Sequence, residues 1–289
     1  MIRNYNEYYL DTRKRLRAAG IEASGLEARL LLAFAADKRP EEFLRDIRMY
    51  PGKDFEERAE ELVQRRLAGE PVAYITGSWS FYGLELEINR NVLIPRADTE
   101  LMVDAALDCL RGIPEPRVLD LCTGSGCVGL ALAAKVPGCR VVLADLDRRA
   151  LLLAKRNSLL CHVSGQALCV EADVHSGPAP RLGDFTLVTC NPPYVPTGEL
   201  ETLDSAVKDY EPRMALDGGE DGLDFYRSLF ACWPDTLRPG GRLVLECGEG
   251  QSMPIRRMAA EAGFTPVDTL TDSHGTERCL VFRRECDGE

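Results

Sequence analysis

Histidine is scarce in this chain, regular cysteine spacing is missing, and no apolar run approaches the roughly 20 residues a membrane span needs. The three histidines, His162, His175 and His274, are scattered, which speaks against a zinc site or a histidine-based triad. Eleven cysteines are many, but the number is odd and no Cys-x-x-Cys pair occurs. A metal or disulfide framework needs repeated spacing. The cysteines therefore read as buried, reduced thiols, several inside apolar runs such as Leu187-Val188-Thr189-Cys190. No metal is expected. Basic charge is also short: 35 Lys and Arg stand against 46 Asp and Glu, a net charge of −11. A nucleic-acid binder usually carries a basic footprint, so no direct nucleic-acid partner is expected. The first residues lack the apolar core of a secretory signal, and Glu7 and Asp11 among Arg13, Lys14, Arg15 and Arg17 do not suit a transit peptide. A cytoplasmic protein without membrane attachment is expected, and a monomer.

What is present is an ordinary globular balance, 45% hydrophobic and 28% charged over 289 residues, enough for about two domains. Residues 1 to 75 read as a small all-helical domain. Leu26, Leu30, Leu31 and Phe34 fall on one helical face, and Phe55, Ala59, Leu62 and Val63 on another, with Asp54 as the expected N-cap. From Ser78 the apolar period changes to two, with alternation on both sides of Gly83, so residues 76–96 read as a β-hairpin linker. From 97 to 289, strand candidates at 117–121, 140–145, 166–171, 184–190, 241–247 and 277–283 alternate with mostly helical stretches. That pattern implies an α/β domain with a parallel, Rossmann-like sheet covered on both faces.

The first of these strands leads into Cys122-Thr123-Gly124-Ser125-Gly126, with Gly129 following. Glycine permits a sharp turn and close approach of a ligand, and the carboxyl end of a first parallel strand is the usual cofactor crevice. The next strand ends at Asp145, at the distance a ribose-binding acid requires. This loop suits a nicotinamide dinucleotide or S-adenosylmethionine equally, since both carry a ribose diol. Asp145 alone also reads as a cap for the helix at Arg148.

The fourth strand runs into Asn191-Pro192-Pro193-Tyr194, which should face the same crevice as Gly124. An amide nitrogen is a poor nucleophile because its lone pair is delocalised, so an enzyme that methylates it must mainly orient it. The Asn191 side-chain oxygen and the Pro192 backbone carbonyl can each accept one N–H and turn the lone pair toward a sulfonium methyl. Proline fixes φ and removes backbone donors, which keeps those acceptors rigid. Tyr194 can wall the pocket and stack on a flat amide. Fixed carbonyl dipoles stabilise the positive charge that develops on nitrogen. A dehydrogenase has no evident need of this tetrapeptide, so the pair of motifs points to a methyltransferase using S-adenosylmethionine.

Four blocks in order carry a resemblance: Leu93-Ile94-Pro95-Arg96-Ala97-Asp98-Thr99-Glu100; Asp120 to Gly126; Asn191 to Tyr194; and Glu211-Pro212-Arg213-Met214-Ala215-Leu216 with Gly218 to Leu223. Over almost its whole length the chain resembles the release factor glutamine methyltransferases, a family of class I methyltransferases. The resemblance implies a helical N-terminal domain, a hairpin linker and a seven-stranded sheet with an antiparallel last hairpin. It implies transfer of methyl to the glutamine in the Gly-Gly-Gln loop of class-1 peptide chain release factors. Cys122 to Gly126 and Asp145 would hold the cofactor, Asp173 and Val174 would lie beside the adenine, Asn191 would touch cofactor and substrate, and Pro192, Pro193 and Tyr194 would shape the glutamine pocket. Cys122 stands where many relatives have glycine, so its side chain is expected to crowd the loop. Arg96 and Glu100 read either as a local ion pair or as substrate contacts, Glu211 as an organiser of the loop after the pocket, Glu246 as structural, and the glycines at 218, 219 and 222 as a flap or a tight turn. The competing substrates are a ribosomal-protein glutamine and the adenine amino group of nucleic acid; the latter would have to be flipped out of its stack.

Overall fold

A computed structural model describes residues 3–180 and 182–285. Cys286, the eleventh cysteine, lies outside them. The chain forms two compact units. One runs to Ser78 and includes Ser205–Tyr210; the other takes Trp79–Asp204 and resumes at Glu211. No described helix is long and apolar enough to cross a membrane.

The first unit contains helices α1 (Tyr5–Ala18), α2 (Ser24–Ala35), α3 (Pro40–Arg45), α4 (Phe55–Leu67) and α5 (Val72–Thr76). Helix α1 starts with a reciprocal capping box, in which Asn4 accepts from Glu7 N–H and Glu7 accepts from Asn4 N–H. Its core is aromatic, with the Tyr5 ring edge-on to Phe43 at 5.1 Å and to Phe55 at 5.0 Å. Phe55, Ala59, Leu62 and Val63 all face inward on α4. Asp54 precedes that helix, but its side chain makes no capping bond. On α2 the buried stripe is Ala28, Leu31, Leu32 and Ala35, whereas Leu26 and Phe34 are exposed. The apolar face is thus rotated from the expected one: Leu31 and Leu32 pack inward with the alanines, and Leu26 and Phe34 are left outside.

In the second unit β1 (Ser78–Phe81) and β2 (Leu84–Glu87) pair as a hairpin. Tyr82 (φ 49°) and Gly83 (φ 76°) both adopt left-handed backbone, as the two-residue turn that best matches strand twist requires. Then come α6 (Glu100–Leu110), β3 (Arg117–Leu121), α7 (Cys127–Lys135), β4 (Arg140–Asp145), α8 (Arg148–Leu160), β5 (Ala167–Glu171) and β6 (Phe185–Cys190). The short helix α9 (Ser205–Lys208) belongs to the other unit, and α10 (Asp224–Cys232), β7 (Leu237–Glu246), α11 (Ser252–Glu261), β8 (Phe264–Thr271) and β9 (Glu277–Arg284) complete the chain.

The sheet has seven strands in the order β5-β4-β3-β6-β7-β9-β8, all running in one direction except β9, which is antiparallel to both β7 and β8. The residue pattern missed β8. It is an edge strand, largely exposed, and carries Pro266, which an edge tolerates because its N–H need not pair. Helices α6, α7 and α8 pack as one layer, and α10 and α11 as another. Under the second layer lies a core that includes Trp233, Tyr226, Phe230 and Phe282. Chain order reverses at β3, which sits between β4 and β6, so a crevice opens beyond the carboxyl ends of these strands. The ten described cysteines are free; four are buried, and Cys232 is exposed rather than buried.

Candidate active site

The loop after β3 is tied down by Asp120. Its Oδ2 accepts from the Thr123 hydroxyl (2.6 Å) and from Gly129 N–H (3.1 Å), and its Oδ1 accepts from the Thr189 hydroxyl on β6 (2.6 Å). Burial pushes this carboxyl up to about 6, against the pull of those three hydrogen bonds. Gly129 packs so closely on β4 that a Cβ there would stand 2.4 Å from Leu143 and 2.9 Å from Val141. The loop itself turns through left-handed backbone at Cys122 (φ 54°), Gly124 (φ 54°) and Gly126 (φ 84°). The first of these explains why glycine suits that position. Cys122 fits by directing its side chain against the core beside Cys190; a hydrogen bond with that thiol, and burial, keep it protonated.

Asp145 closes the loop from β4. Its Oδ2 accepts from Gly124 N–H (2.8 Å) and its Oδ1 from Asp147 N–H (2.9 Å). The cap of α8 is Asp147, which accepts from Arg149 N–H, so Asp145 is not the helix cap. Burial raises the Asp145 carboxyl above the usual carboxylate range. After β5, Asp173 accepts from His175 N–H (2.9 Å) and from the Ser176 hydroxyl (2.8 Å), and these bonds hold its pKa down. The buried Val174 accepts from Trp233 Nε1 through its carbonyl (2.9 Å). His175 and Phe225 stand 4.5 Å apart between ring centres.

Asn191 to Tyr194 leave β6 on the same side of the sheet. Asn191 Nδ2 lies 3.4 Å from the hydroxyl of buried Thr99. Among the described residues no backbone N–H reaches the Pro192 carbonyl oxygen. The Tyr194 hydroxyl donates to Glu246 Oε1 (3.3 Å), and its carbonyl accepts from Gln251 Nε2 (2.8 Å). Val195 then bridges in parallel to Asp217. The glycines at 218 and 222 are a close-packed turn beneath this segment: a Cβ on Gly218 would stand 2.7 Å from Tyr194 Cα, and one on Gly222 2.3 Å from the Tyr194 carbonyl oxygen.

One cleft, partly open to solvent, gathers most of the expected residues. Residues 122–125, Asp145, Asp173, Val174, Asn191 and Pro193 line it. Gly126, Pro192, Tyr194, Arg96 and Glu100 are not on its wall. Arg96 and Glu100 do not pair with each other. Arg96 Nη2 meets Glu211 Oε1 at 2.7 Å, and Glu100 accepts from Tyr82 N–H at 2.8 Å, holding the hairpin turn. Glu211 is buried, which raises its pKa, while the Arg96 guanidinium pulls it down.

Asn157 is a contributor that sequence reading missed. Fully buried on α8, it accepts from Glu87 N–H (2.7 Å) and donates to the carbonyls of Glu87 (3.0 Å) and Ser125 (2.9 Å). It thereby ties the hairpin to the glycine loop. An asparagine in a helix has no sequence signature for that role. Met214, Ala215 and Phe225 also line the cleft without having been singled out for it.

Residues 7–77 match the PrmC N-terminal domain, and residues 99–209 match the methyltransferase small domain. The chain is 38% identical over 280 residues to a release factor glutamine methyltransferase of Geobacter sulfurreducens, covering 94% of each. It is 36% identical to the protein of that name from Moorella thermoacetica, covering 94% of this chain and 96% of the relative. The solved structure of a methyltransferase from Pyrococcus furiosus shares the fold at a TM-score of 0.51 and 19% identity, over 77% of this chain and 98% of that one.

Proposed function

This chain belongs to the family of release factor glutamine methyltransferases, and from that premise we propose that it methylates the side-chain amide nitrogen of the glutamine in a class-1 release factor's Gly-Gly-Gln loop, using S-adenosylmethionine. The observation that carries the reading is the shared wall: Asn191 and Pro193 border the same cleft as the glycine loop and Asp145.

Three features fit the cofactor. Ser125 on the cleft wall has a buried hydroxyl oxygen without a hydrogen-bond partner, Gly124 faces open space where a Cβ would stand, and Asp145 keeps lone pairs beyond its two backbone bonds. On this reading Cys122 to Gly126 cradle the cofactor, Asp145 accepts its ribose hydroxyls, and Asp173 and Val174 border its adenine. When bound, S-adenosylmethionine supplies an electrophilic methyl on a sulfonium.

The chain's own task is orientation. Asn191 Oδ1 and the Pro192 carbonyl each hold one N–H of the substrate carboxamide, leaving the nitrogen lone pair free to form the new C–N bond as the sulfonium S–CH3 bond breaks and its electron pair returns to sulfur. The same two dipoles face the nitrogen where positive charge develops, and alignment of this kind lowers a barrier by up to ~7–11 kcal/mol. One N–H proton must then leave, to the solvent on which the cleft partly opens. No high-pKa base is needed. Pro193 shapes the pocket wall, and Tyr194, off that wall, anchors the segment through Glu246 and Gln251. Arg96 and Glu100 act one step back, through Glu211 and the hairpin turn. The helical domain, residues 1–75, is read as the surface that recognises the release factor, since a three-residue loop offers little area by itself. The matched PrmC N-terminal segment supports this.

Incubation with labelled S-adenosylmethionine and a release factor tests the proposal. Label is expected on the natural factor and not on one whose Gly-Gly-Gln is changed to Gly-Gly-Ala. Label on both, or on nucleic acid instead, would overturn it.

A further inference from the structure

Glu246 ends β7 and is joined to the tetrapeptide through Tyr194. Its residue is 3% exposed. Oε1 accepts from the Tyr194 hydroxyl, and Oε2 is buried without a hydrogen-bond partner. The Thr99 hydroxyl and the Asn191 amide also bear on this carboxyl, and Asn191 Nδ2 lies 3.4 Å from Thr99 Oγ1.

The directions of these contacts follow from chemistry. An ionised carboxylate only accepts, whereas a hydroxyl has one proton and two lone pairs. Asn191 meets Thr99 Oγ1 with its NH2, and the Thr99 proton is then free to turn to Glu246. Tyr194 must likewise donate inward. With its NH2 committed to this side, Asn191 is left with Oδ1 as its free group. A reversed Asn191 would set its NH2 against the substrate's NH2, donor against donor.

We propose that Glu246 is a positioning residue for methyl transfer: as the terminal acceptor of the Asn191–Thr99–Tyr194 network, it fixes which end of the Asn191 carboxamide faces the substrate. The inference rests on the reading of Asn191 as acceptor of the substrate N–H. A neutral group at 246 can donate as well as accept. Thr99 is then free to reverse, and Asn191 with it.

Burial, and then Asp98, raise the Glu246 carboxyl above its ordinary range, while Thr99, Tyr194 and Asn191 pull it back. Among the described residues Tyr226, whose hydroxyl donates to the Glu246 backbone carbonyl (2.8 Å), the thiols Cys127, Cys247 and Cys279, and Arg278, held by Asp272 and 3.9 Å from Asp98, are further titratable or charged groups around it. Because the ionised form is the one that sets direction, kcat should fall as pH drops through this raised pKa.

The test compares the full-length wild type with Glu246→Gln, Thr99→Val and Asn191→Ala, singly and paired with Asn191→Ala. It follows kcat against pH, S-adenosylmethionine affinity by calorimetry, release-factor affinity without cofactor, and Tm. Glu246→Gln is expected to lower kcat roughly 10–100-fold, the range for removing a group that orients a ligand-contacting one. Cofactor affinity should stay within about threefold, the acidic limb should vanish, and the substitution should add little in the Asn191→Ala background. Unchanged kcat, a retained acidic limb, or losses that multiply independently of Asn191→Ala would overturn the inference. If Glu246→Gln does not fold, Thr99→Val carries the same non-additivity test with the carboxyl in place. A wild type that does not label the release factor overturns the functional reading and this inference with it. A labelled wild type with independent losses overturns the Glu246 role alone.

Discussion

Gly222 touches the Tyr194 backbone so closely that a single Cβ would stand 2.3 Å from the Tyr194 carbonyl oxygen and 2.6 Å from Gln251 Nε2. Its φ of 76° is also left-handed. Gly222→Ala should therefore displace the segment that follows Asn191. It is expected to cost about 1–3 kcal/mol, a Tm drop of roughly 2–12 °C, with a lower kcat/KM for the release factor. Gly250→Ala shares the positive φ (78°) but meets nothing within 4 Å. It should lose less stability and no transfer activity. Equal effects of the two substitutions would show that the contact with Tyr194 is immaterial.

Replacing Asn157 by leucine keeps much of its volume but strands one N–H and two carbonyls of Glu87 and Ser125. Leaving buried polar groups unpaired costs ~1–3 kcal/mol each. A thermal melt should register several kcal/mol of destabilisation, and calorimetry should find weakened cofactor binding as the Ser125 carbonyl is released. A melt unchanged from wild type would deny Asn157 its tie between hairpin and loop.

For Asp145 the pH dependence has a definite sign. Burial raises its pKa, so on acidification it takes up a proton earlier than an ordinary aspartate, and the protonated form is a poorer acceptor for ribose hydroxyls. Cofactor affinity should fall as pH drops toward that raised value. Asp145→Asn should bind about 10–100-fold more weakly at neutral pH, the ~1.5–3 kcal/mol of a hydrogen bond to a charged group, with the Asp145-linked dependence gone. Calorimetric titrations across pH decide this; an aspartate and an asparagine enzyme with the same affinity would remove Asp145 from the ribose site.

Arg96→Ala leaves the buried Glu211 without its cation. The expected cost at neutral pH is about 1–3 kcal/mol, below the ~3–5 of a fully buried pair because Arg96 is partly solvated. The pKa of Glu211 is already raised by burial, so its ionisation disfavours the fold as pH climbs from the unfolded value through the folded one, and the penalty is absent below both. Loss of Arg96 raises that pKa further. The Tm deficit of Arg96→Ala against wild type should thus be larger at pH 8 than at pH 5. A deficit independent of pH would mean that Arg96 contributes packing only.

The sheet was largely legible because period and punctuation agree there. Five strands fall within a residue of the apolar runs at 117–121, 140–145, 166–171, 184–190 and 277–283. Strand β7 starts four residues before the expected 241, at Leu237, because its opening residues include Pro239 and two glycines, which read as a turn. The edge strand β8 has no apolar signature to find. At the site, the glycine loop and Asn191 announced themselves through residue types that only special backbone or chemistry requires. Asn157, Thr99 and Glu246 did not, since their roles consist of hydrogen bonds to partners far along the chain, and the Asp120 bond to Thr189 on β6 is equally distant. Arg96 and Glu100 looked paired by spacing; their true partners, Glu211 and the Tyr82 backbone, are set by the fold.

The central claim, that Asn191 orients the substrate nitrogen, is tested most directly by single-turnover methyl transfer to a release factor with Asn191→Ala, alongside its affinity for S-adenosylmethionine. Transfer should be slowed by ~2–4 kcal/mol of barrier, roughly 30- to 1,000-fold, with cofactor affinity nearly unchanged. Transfer at the wild-type rate would contradict it.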